Sequence, residues 1–456
     1  MRNTAKALHF PSLGVAAHLS YAEATIPDEN HAYATPSARN VWGKCTFGDR
    51  ARGGSRPGLK RLVGASSESG GIWRWPNGSA LQWPDGGNIL YSLPFAKYSG
   101  PDGAPFVNPH QPYTPTAAKG TAPSGVRAMA WYRYRLFVAK DAQWYASRSG
   151  DIADWDYGGD MEDISRAATG TVSKAGIEGE TITAMMPILD RCIYIATDRA
   201  LWCLTGEPTS GTLACVAEGV GCVGPDAWCY DGRTLWFFSS SGIFSLVPGE
   251  TGPEHFSGRL PTLKATDRSA IMAADHAQDG ILLFSTDGDF FLDPSAKAIW
   301  PIDVPATMRP TAFSHVMADH ENVTVMLGSD GKWRYFDAET DADDKTAVSD
   351  GTPIESELVI GPFRVSGSDA IDGILDEVRV TLGEGSGTVT IGVATAKTAE
   401  GAAKAVRVAA NQYAGGYNFT QRARRRGAWG CIKLTSSARW AYESVLVTLK
   451  ALGRLR

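Results

Sequence analysis

A short hairpin pattern recurs five times between residues 136 and 337, and it constrains the fold more than any other feature of the sequence. Each copy joins two apolar or aromatic runs through a turn rich in Asp, Gly and Ser, which is typical of a β-hairpin. The copies begin at residues 136, 193, 235, 281 and 323, so they lie 42 to 57 residues apart. A period of about 40 to 50 residues made of strands alone is typical of a β-propeller with one four-stranded blade per repeat.

Longer connections flank and interrupt these repeats. Residues 71–83 predict one more hairpin, which we interpret as part of a first blade. Residues 98–124 are rich in Pro and lack periodicity, so they are predicted to be an inserted loop. The 57-residue step predicts a second insertion at residues 151–180, on one rim of the disc. The sequence thus predicts an all-β fold built on a β-propeller of about six blades.

Beyond residue 352 the hairpin pattern gives way to longer strands. Val378, Val380 and Leu382 alternate with Arg379 and Thr381, and this period of two predicts a strand with one buried and one wet face. Five strands of a separate antiparallel domain are predicted, at residues 375–382, 388–395, 405–409, 429–434 and 442–449.

The amino-terminal residues 1–48 show no periodic element. They are predicted to form an extended arm, which keeps a fixed path only if it packs on another part of the protein or on a neighbouring subunit. Three domains are therefore predicted: the arm at 1–48, the β-propeller at 49–352 and an appended carboxy-terminal antiparallel, β-sandwich-like domain at 353–456. His9, Pro11 and His18 interrupt the mildly apolar start of the chain, which disfavours a secretory signal and leaves a targeting role of residues 1–25 open.

Composition excludes several classes of function. The formal net charge of −5 over 456 residues is too small for a chain built as a whole to bind nucleic acid or an anionic membrane. No apolar run of about 18 residues occurs, so no membrane span is expected. The seven cysteines contain no C-x-x-C pair. They predict buried thiols in a reducing compartment rather than a disulfide framework or a zinc ribbon.

No set of residues predicts catalysis. Residues 151–163 contain six carboxylates, but glycoside hydrolysis in a propeller needs acids from different blades. The order of Asp and Gly required by an EF-hand is missing from the same stretch. The eight histidines lack metal-binding spacing, and no G-x-S-x-G sequence is present. We therefore expect no enzyme activity, no cofactor and no metal.

Arginine is concentrated in two places. Arg422, Arg424, Arg425 and Arg426 lie within residues 421–427 and could bind phosphates through two-point contacts. The alternatives are a solvated hairpin tip and an inter-subunit clamp onto the acidic turn at 341–344. Arg52 and Arg56 lie in a Gly-rich loop without the order of a phosphate-binding loop, which favours arginines that clamp nearby carbonyls or carboxylates. All six are candidates for a subunit interface or a DNA channel.

Five segments of the sequence together resemble a known family. They lie at residues 52–59, 145–156, 201–208, 219–225 and 239–246, and they are similar to segments of the β-propeller nozzle proteins of short-tailed bacteriophages, also described as tail tubular or packaged-DNA stabilisation proteins. Residues 378–387 and 439–443 and the last four residues also resemble phage tail sequence.

The resemblance implies a virion tail protein, assembled in the host cytoplasm. It further implies a hexameric ring below the portal and its adaptor, which guides or closes the DNA exit channel, touches phage DNA transiently and carries spikes or fibres. No catalytic residue is implied. Because Trp and Tyr are abundant, the alternative is a propeller at the tail tip that binds or cleaves glycans.

Overall fold

The structure is a computed structural model, and it describes residues 3–27, 32–47, 50–61, 73–74, 79–82, 89–92, 96–98, 119–151, 154–173, 180–318, 321–346, 350–366, 371–407, 412–415 and 419–454. Most of the inserted loop predicted at residues 98–124 lies outside these ranges, and so do residues 152–153 and 174–179 of the predicted insertion. No helix in the described ranges has the length and apolar character that a membrane crossing would need.

Five strands precede blade 1 in the chain: β1 (Asn3–Leu8), β2 (Ala38–Arg39), β3 (Val41–Phe47), β4 (Arg50–Ser55) and β5 (Gly58–Arg61). The strands β3 and β4 pair with each other as a hairpin, whereas β1, β2 and β5 pair with strands from distant parts of the chain.

The first three blades follow in chain order. Blade 1 contains β6 (Trp73–Arg74), β7 (Ser79–Gln82), β8 (Ile89–Ser92) and β9 (Ala96–Tyr98). Blade 2 contains β10 (Ala128–Tyr132), β11 (Arg135–Lys140), β12 (Gln143–Ala146) and β13 (Ala168–Thr171). Blade 3 contains β14 (Ile182–Ile188), β15 (Cys192–Thr197), β16 (Ala200–Thr205) and β17 (Thr212–Glu218).

The other three blades complete the propeller. Blade 4 contains β18 (Trp228–Tyr230), β19 (Leu235–Ser239), β20 (Gly242–Leu246) and β21 (Glu254–His255). Blade 5 contains β22 (Ile271–Asp275), β23 (Gly280–Ser285), β24 (Gly288–Asp293) and β25 (Ala298–Ile302). Blade 6 contains β26 (Pro310–Ala318), β27 (Glu321–Gly328) and β28 (Trp333–Asp337), and β5 is its fourth strand. Short 3-10 turns lie at Ser257–Arg259 and Ala306–Met308.

The blades confirm the prediction of an all-β propeller of about six blades. Each of the five repeated hairpins supplies the two central strands of a blade, as β15 and β16 do in blade 3. All six residues of β15 and all six of β23 are buried, because the neighbouring blades cover both faces of each sheet. Strands buried in this way are apolar throughout, which is why the repeats were visible in the sequence.

Strand β5 closes the ring of blades. The first strands of successive blades contact one another from β10 through β26, and β26 contacts β6. Strand β5, which precedes blade 1 in the chain, pairs with β28 from Gly58 opposite Asp337 to Arg61 opposite Arg334. The last blade therefore needs a strand from the beginning of the chain, so blade 6 is locked to the segment that leads into blade 1.

The strands that follow β28 correspond to the predicted carboxy-terminal domain. A short pair, β29 (Ala342–Asp343) and β30 (Thr352–Pro353), leads into it. Its strands are β31 (Ser356–Arg364), β32 (Ile371–Leu382), β33 (Val389–Ala396), β34 (Gln412–Gly415), β35 (Phe419–Gly427), β36 (Trp429–Ser436) and β37 (Tyr442–Arg454), and helix α1 spans Ala399–Arg407. One sheet has the order β1-β37-β32-β35 and the other β2-β31-β36-β33-β34.

The two sheets enclose a shared apolar core that contains Val378, Val447, Ile391 and Ile432. Helix α1 covers the outer face of the five-stranded sheet, where Ala402 and Val406 are buried beside residues of β31, β33 and β36. The outer face of the four-stranded sheet has no such cover among the described residues. This sheet therefore presents one wet face, as the alternation in β32 predicted.

The structure corrects two predictions in this domain. Residues 405–409 were predicted as a strand, but α1 ends at Arg407. Ala399, Ala402, Ala403 and Val406 recur at the helical spacing of three and four and face the sheet, and Thr398 caps the helix through a hydrogen bond from the Gly401 amide. The basic run at 421–427 is not a hairpin tip, because it lies within strand β35.

The amino-terminal segment contains strands that the sequence did not reveal. Strand β1 pairs with β37, with Leu8 opposite Val445, and β2 pairs with β31. Trp42 of β3 stacks on Phe291 of blade 5, with ring centroids 4.0 Å apart. One continuous apolar core thus joins blades 5 and 6 to the sandwich. The domain boundaries drawn from the sequence remain predictions.

Candidate functional site

Arg56 lies in the interior of the protein. Its side chain is 1% exposed, and its Nη1 and Nη2 atoms donate to Oδ1 and Oδ2 of Asp343 at 2.8 and 2.6 Å. Its Nε donates to the Asn40 Oδ1 at 2.9 Å, and Nη2 also donates to the Asp303 carbonyl. These bonds leave no free face for a ligand, so the candidacy of Arg56 as a DNA contact is wrong. The arginine clamps a carboxylate, as its loop predicted.

Arg52 has a similar role nearer the surface. Its guanidinium forms an ion pair with Glu443 of β37, and it packs against Gly383, where an added Cβ would collide with the guanidinium. The side chain is 16% exposed. Arg52 therefore joins β4 to the sandwich, and it offers a ligand little accessible surface.

The acidic turn at 341–344 is neutralised within the chain. Asp343 binds Arg56, and Asp344 Oδ1 accepts hydrogen bonds from Arg334 Nε at 2.7 Å and Arg61 Nε at 2.9 Å. Burial raises the pKa of Asp344, but the bonds from the two arginines outweigh it, so the pKa lies below its ordinary value. Asp341 pairs with Lys345. An external arginine clamp, as considered from the sequence, would have to displace these internal partners.

The four clustered arginines lie on β35, an edge strand of the four-stranded sheet. Arg422, Arg424 and Arg426 are exposed and Arg425 is half-buried. The pairing with β32 shifts register between Leu375 and Glu377, and Arg424 has a φ of 48° at this irregularity. Arg426 binds Asp372 at 3.0 Å. Arg422, Arg424 and Arg425 form no ion pair with any residue that the structure describes.

More basic and apolar groups share this wet face. Arg379 of β32 is exposed and lies opposite Leu446 of β37, which is 36% exposed. Glu377 lies opposite Arg422, while Lys450 pairs with Asp376 at 2.6 Å. We call the surface formed by Arg379, Arg422, Arg424 and Leu446 the sandwich face. Its three arginines outnumber the one carboxylate of Glu377, so the net charge of these groups is positive.

The acidic stretch of blade 2 divides into a buried and an exposed part. Asp151, Asp154 and Asp156 are buried, and Arg148 binds Asp163 at 2.5 Å. Burial raises the pKa of Asp154. Asp160 and Glu162 are exposed. Nowhere in the described ranges do three or more His, Cys, Asp or Glu side chains converge in a way that could hold a metal ion.

An exposed apolar cluster lies beside these two carboxylates, and the sequence did not predict it. Tyr134, Met161, Ile164 and Leu189 are 68%, 75%, 63% and 62% exposed. They lie in the β10–β11 turn, the β12–β13 loop and the β14–β15 turn, which share one end of blades 2 and 3. We call these four residues, with Asp160 and Glu162, the propeller patch.

Hydrogen bonds within blade 2 and between blades 2 and 3 connect the segments of the propeller patch. Arg135 Nη2 donates to the Ile164 carbonyl at 2.6 Å, and the Thr209 hydroxyl of blade 3 donates to the same oxygen. The Arg133 amide donates to Asp190 Oδ1 at 3.1 Å, which joins the turn that contains Tyr134 to the turn that contains Leu189. A sequence signal for the patch exists: bulky side chains occupy turn positions where Gly or Asn is usual.

The cysteines of the repeat region behave as the sequence predicted. Cys192, Cys203, Cys222 and Cys229 are buried, Cys215 is partly buried, and none of them forms a disulfide. Their role is to pack between strands, as free cysteines commonly do.

No protein-family model matches the sequence, and no curated protein matches it. Among solved structures, the chain is similar to the extracellular domain of a putative one-component system from B. thetaiotaomicron, at 12% identity and a TM-score of 0.38. That similarity covers 73% of this chain and 40% of the other, so the chain spans about two fifths of its length.

Two shorter proteins are also similar in structure. The AfRom2 CNH domain is 11% identical with a TM-score of 0.31, over 66% of this chain and 94% of that one. A luciferin-regenerating enzyme is 10% identical with a TM-score of 0.27, over 52% and 83% of the two chains. At such identities a function cannot be transferred from one protein to the other.

Proposed function

We propose that this chain is a structural subunit of a bacteriophage tail, in which copies form a nozzle-like ring that guides or closes the DNA exit channel. In the same proposal the ring connects the portal adaptor to spikes or fibres. The observation that carries the proposal is the closure of the propeller by β5 together with the continuous core that binds blades 5 and 6 to the sandwich. Such an assembly is a rigid body with functional surfaces on its outside.

Two of the five segments that resemble nozzle proteins lie where parts of the propeller are joined. Residues 52–59 contain the end of β4, Arg56 and the start of β5. Residues 219–225 connect β17 to β18, where Gly221 and Gly224 approach neighbouring backbone: a Cβ on Gly221 would lie 1.9 Å from the Thr197 carbonyl oxygen. These positions tolerate no side chain, so the similarity concerns the architecture of the propeller.

The first test is the composition of virus particles. Particles purified from the phage that encodes this chain should contain it in several copies per tail, and a label on the carboxyl terminus should appear as a ring in low-resolution images. Particles made without the chain should package DNA and then lose it. Absence of the chain from purified particles, or a single unassociated copy per tail, would refute the proposal.

A second assay distinguishes the nozzle subunit from the alternative, a propeller that binds or cleaves glycans. Purified protein is incubated with host polysaccharide, and binding and the release of reducing ends are both measured. A nozzle subunit should show neither. Specific binding or cleavage of the polysaccharide would favour the alternative, with the Trp and Tyr residues of exposed loops as the first positions to replace.

A further inference from the structure

The propeller patch and the sandwich face are complementary in charge. The patch exposes Asp160 and Glu162, neither of which forms an ion pair with a described residue, beside four apolar side chains. The sandwich face exposes Arg379, Arg422 and Arg424 around Leu446. Complementary charges around a small apolar centre are typical of protein interfaces, because they fix the orientation in which the two surfaces bind.

We propose that copies of this chain associate head to tail, with the propeller patch of one copy docked on the sandwich face of the next. The proposal rests on the proposed function for its place in a ring, and it adds the surfaces through which the ring would form. Such an interface joins two different surfaces of the same protein, so repeated contacts close into a ring when the rotation per subunit allows it.

The backbone of the turns that carry Tyr134 and Leu189 is strained, and nothing within the described part of the fold explains this strain. Arg133 and Tyr134 both have left-handed backbone, with φ of 49° and 58°, and Leu189 has φ of 49°. Gly or Asn occupies such turn positions with less strain. A large aromatic ring that is 68% exposed at a strained position leaves most of its apolar surface uncovered by the described part of its own chain. Docked on a neighbouring subunit, it would bury apolar area and could stack on an arginine.

The two surfaces lie too far apart to meet within one copy. The patch belongs to blades 2 and 3, whereas the sandwich shares its core with blades 5 and 6, through residues such as Phe291 and Phe336. In a ring of six blades these two pairs lie on opposite sides. A contact between the patch and the sandwich face therefore requires a second copy.

Charge reversal tests the proposal. The wild-type protein, R422E/R424E, D160K/E162K and the combined four-residue variant are compared by sedimentation over a range of concentration and salt. Each double variant should weaken self-association at least tenfold, and the four-residue variant should regain it because the charges are exchanged. The control is R127E/K264E, which makes the same charge change at two exposed positions outside both surfaces and should associate like the wild type.

A mixture of the two double variants gives a sharper result. R422E/R424E retains an intact patch and D160K/E162K an intact sandwich face, so one normal contact can form between them. The second contact pairs the two reversed surfaces, whose charges also attract, so the mixture should yield oligomers in which the two variants alternate in equal amounts. Neither variant should yield such oligomers alone. A mixture that stays monomeric while the wild type associates would overturn the head-to-tail arrangement.

Tyr134→Gly separates an interface role from a role in folding. Glycine accepts the left-handed backbone, so the melting temperature should stay equal or rise, while self-association should weaken by at least fivefold. Loss of thermal stability with unchanged association would show that the Tyr134 side chain stabilises the fold. That result would count against the propeller patch as an interface.

The remaining outcomes distinguish this proposal from its rivals. If R422E/R424E loses affinity for double-stranded DNA while its self-association is unchanged, the arginines form a DNA surface and the proposal is wrong. A wild-type chain that stays monomeric at about 100 μM, where even a weak specific interface is populated, also overturns it. If both charge-reversed variants still form rings in virus particles, the proposed tail function remains possible, and only the proposed interface surfaces are refuted.

Discussion

Arg56 and Asp343 form a two-point ion pair inside the protein, with N–O distances of 2.8 and 2.6 Å. The pair joins the β4–β5 connection to β29, and the remaining guanidinium bonds reach Asn40 and the Asp303 carbonyl. One side chain thus holds together the amino-terminal segment, blade 5 and the entry to the sandwich.

Removing one partner of this pair should be costly, because the other charge is left buried. Arg56→Met or Asp343→Leu should lower the free energy of unfolding by about 3 to 5 kcal/mol. The double variant Arg56→Met with Asp343→Leu should recover part of the loss, since no charge remains to be desolvated. Urea denaturation of the four proteins checks the cycle, and additive losses in the double variant would contradict the coupling.

Closure of the ring should depend on the absence of a side chain at Gly58. A Cβ there would lie 2.2 Å from the Ala342 carbonyl oxygen, so Gly58→Ala must displace β29 or β5. We expect a loss of about 1 to 3 kcal/mol in the free energy of unfolding, with faster proteolysis of the first 61 residues. Gly252→Ala is the matched control, because nothing lies within 4 Å of its added Cβ.

The stacking of Trp42 on Phe291 should contribute much of the free energy that holds β3 against blade 5. Trp42→Ala should cost about 3 to 5 kcal/mol. Trp42→Phe should cost less than half of that, since it keeps a ring in the stack and removes an indole N–H that has no hydrogen-bond partner among the described residues. Thermal unfolding monitored by near-UV circular dichroism compares them, and equal losses would show that ring packing is not the cause.

Asp275 should make stability depend on pH. Burial raises its pKa to about 7, although the amides of Gln278 and Ala277 oppose the shift. The folded state therefore binds a proton that the unfolded state has lost between about pH 4 and 7, and this contribution to stability falls as the pH rises through that window.

Asp275→Asn should remove this dependence. Relative to the variant, the wild type should lose roughly 3 to 4 kcal/mol between pH 4.5 and 7.5, from a shift of about three units. Denaturant midpoints at five pH values measure the difference. Asp350→Asn, at an exposed position, is the control and should follow the wild-type curve; parallel curves for Asp275→Asn and the wild type would disprove the expected titration.

The sequence predicted those parts of the fold whose signal is local. Each repeated hairpin was visible because its two strands are buried on both faces and lie a few residues apart, as in β15 and β16. The pairing of Gly58 with Asp337 and of Leu8 with Val445 leaves no local pattern, since the partners are hundreds of residues apart. For the same reason the segment at 1–48 looked like an arm without strands.

The candidate surfaces were predictable only in part. The arginines of β35 were evident as a charge cluster, but their place on an edge strand depends on pairing with β32. The sequence did not indicate that Arg56 is buried, except that its Gly-rich loop lacks the order of a phosphate-binding loop. The bulky residues Tyr134 and Leu189 in their turns were a local signal, but the propeller patch was missed because the arrangement of blades 2 and 3 determines that these turns share one end of the propeller.

The pairing of β1 with β37 also determines the order in which parts of the protein can fold during synthesis. Leu8 emerges first and must wait for Val445, its partner across the sheet. At about 5 to 20 residues per second the delay is roughly 20 to 90 s. Over that time β1 is an edge without its partner, and β5 is another until β28 has been synthesised; such edges are prone to misassembly. Slow synthesis or a missing carboxy-terminal domain should therefore leave β1 as an open edge that promotes aggregation, so the attachment of β1 to the sandwich is a late step of folding.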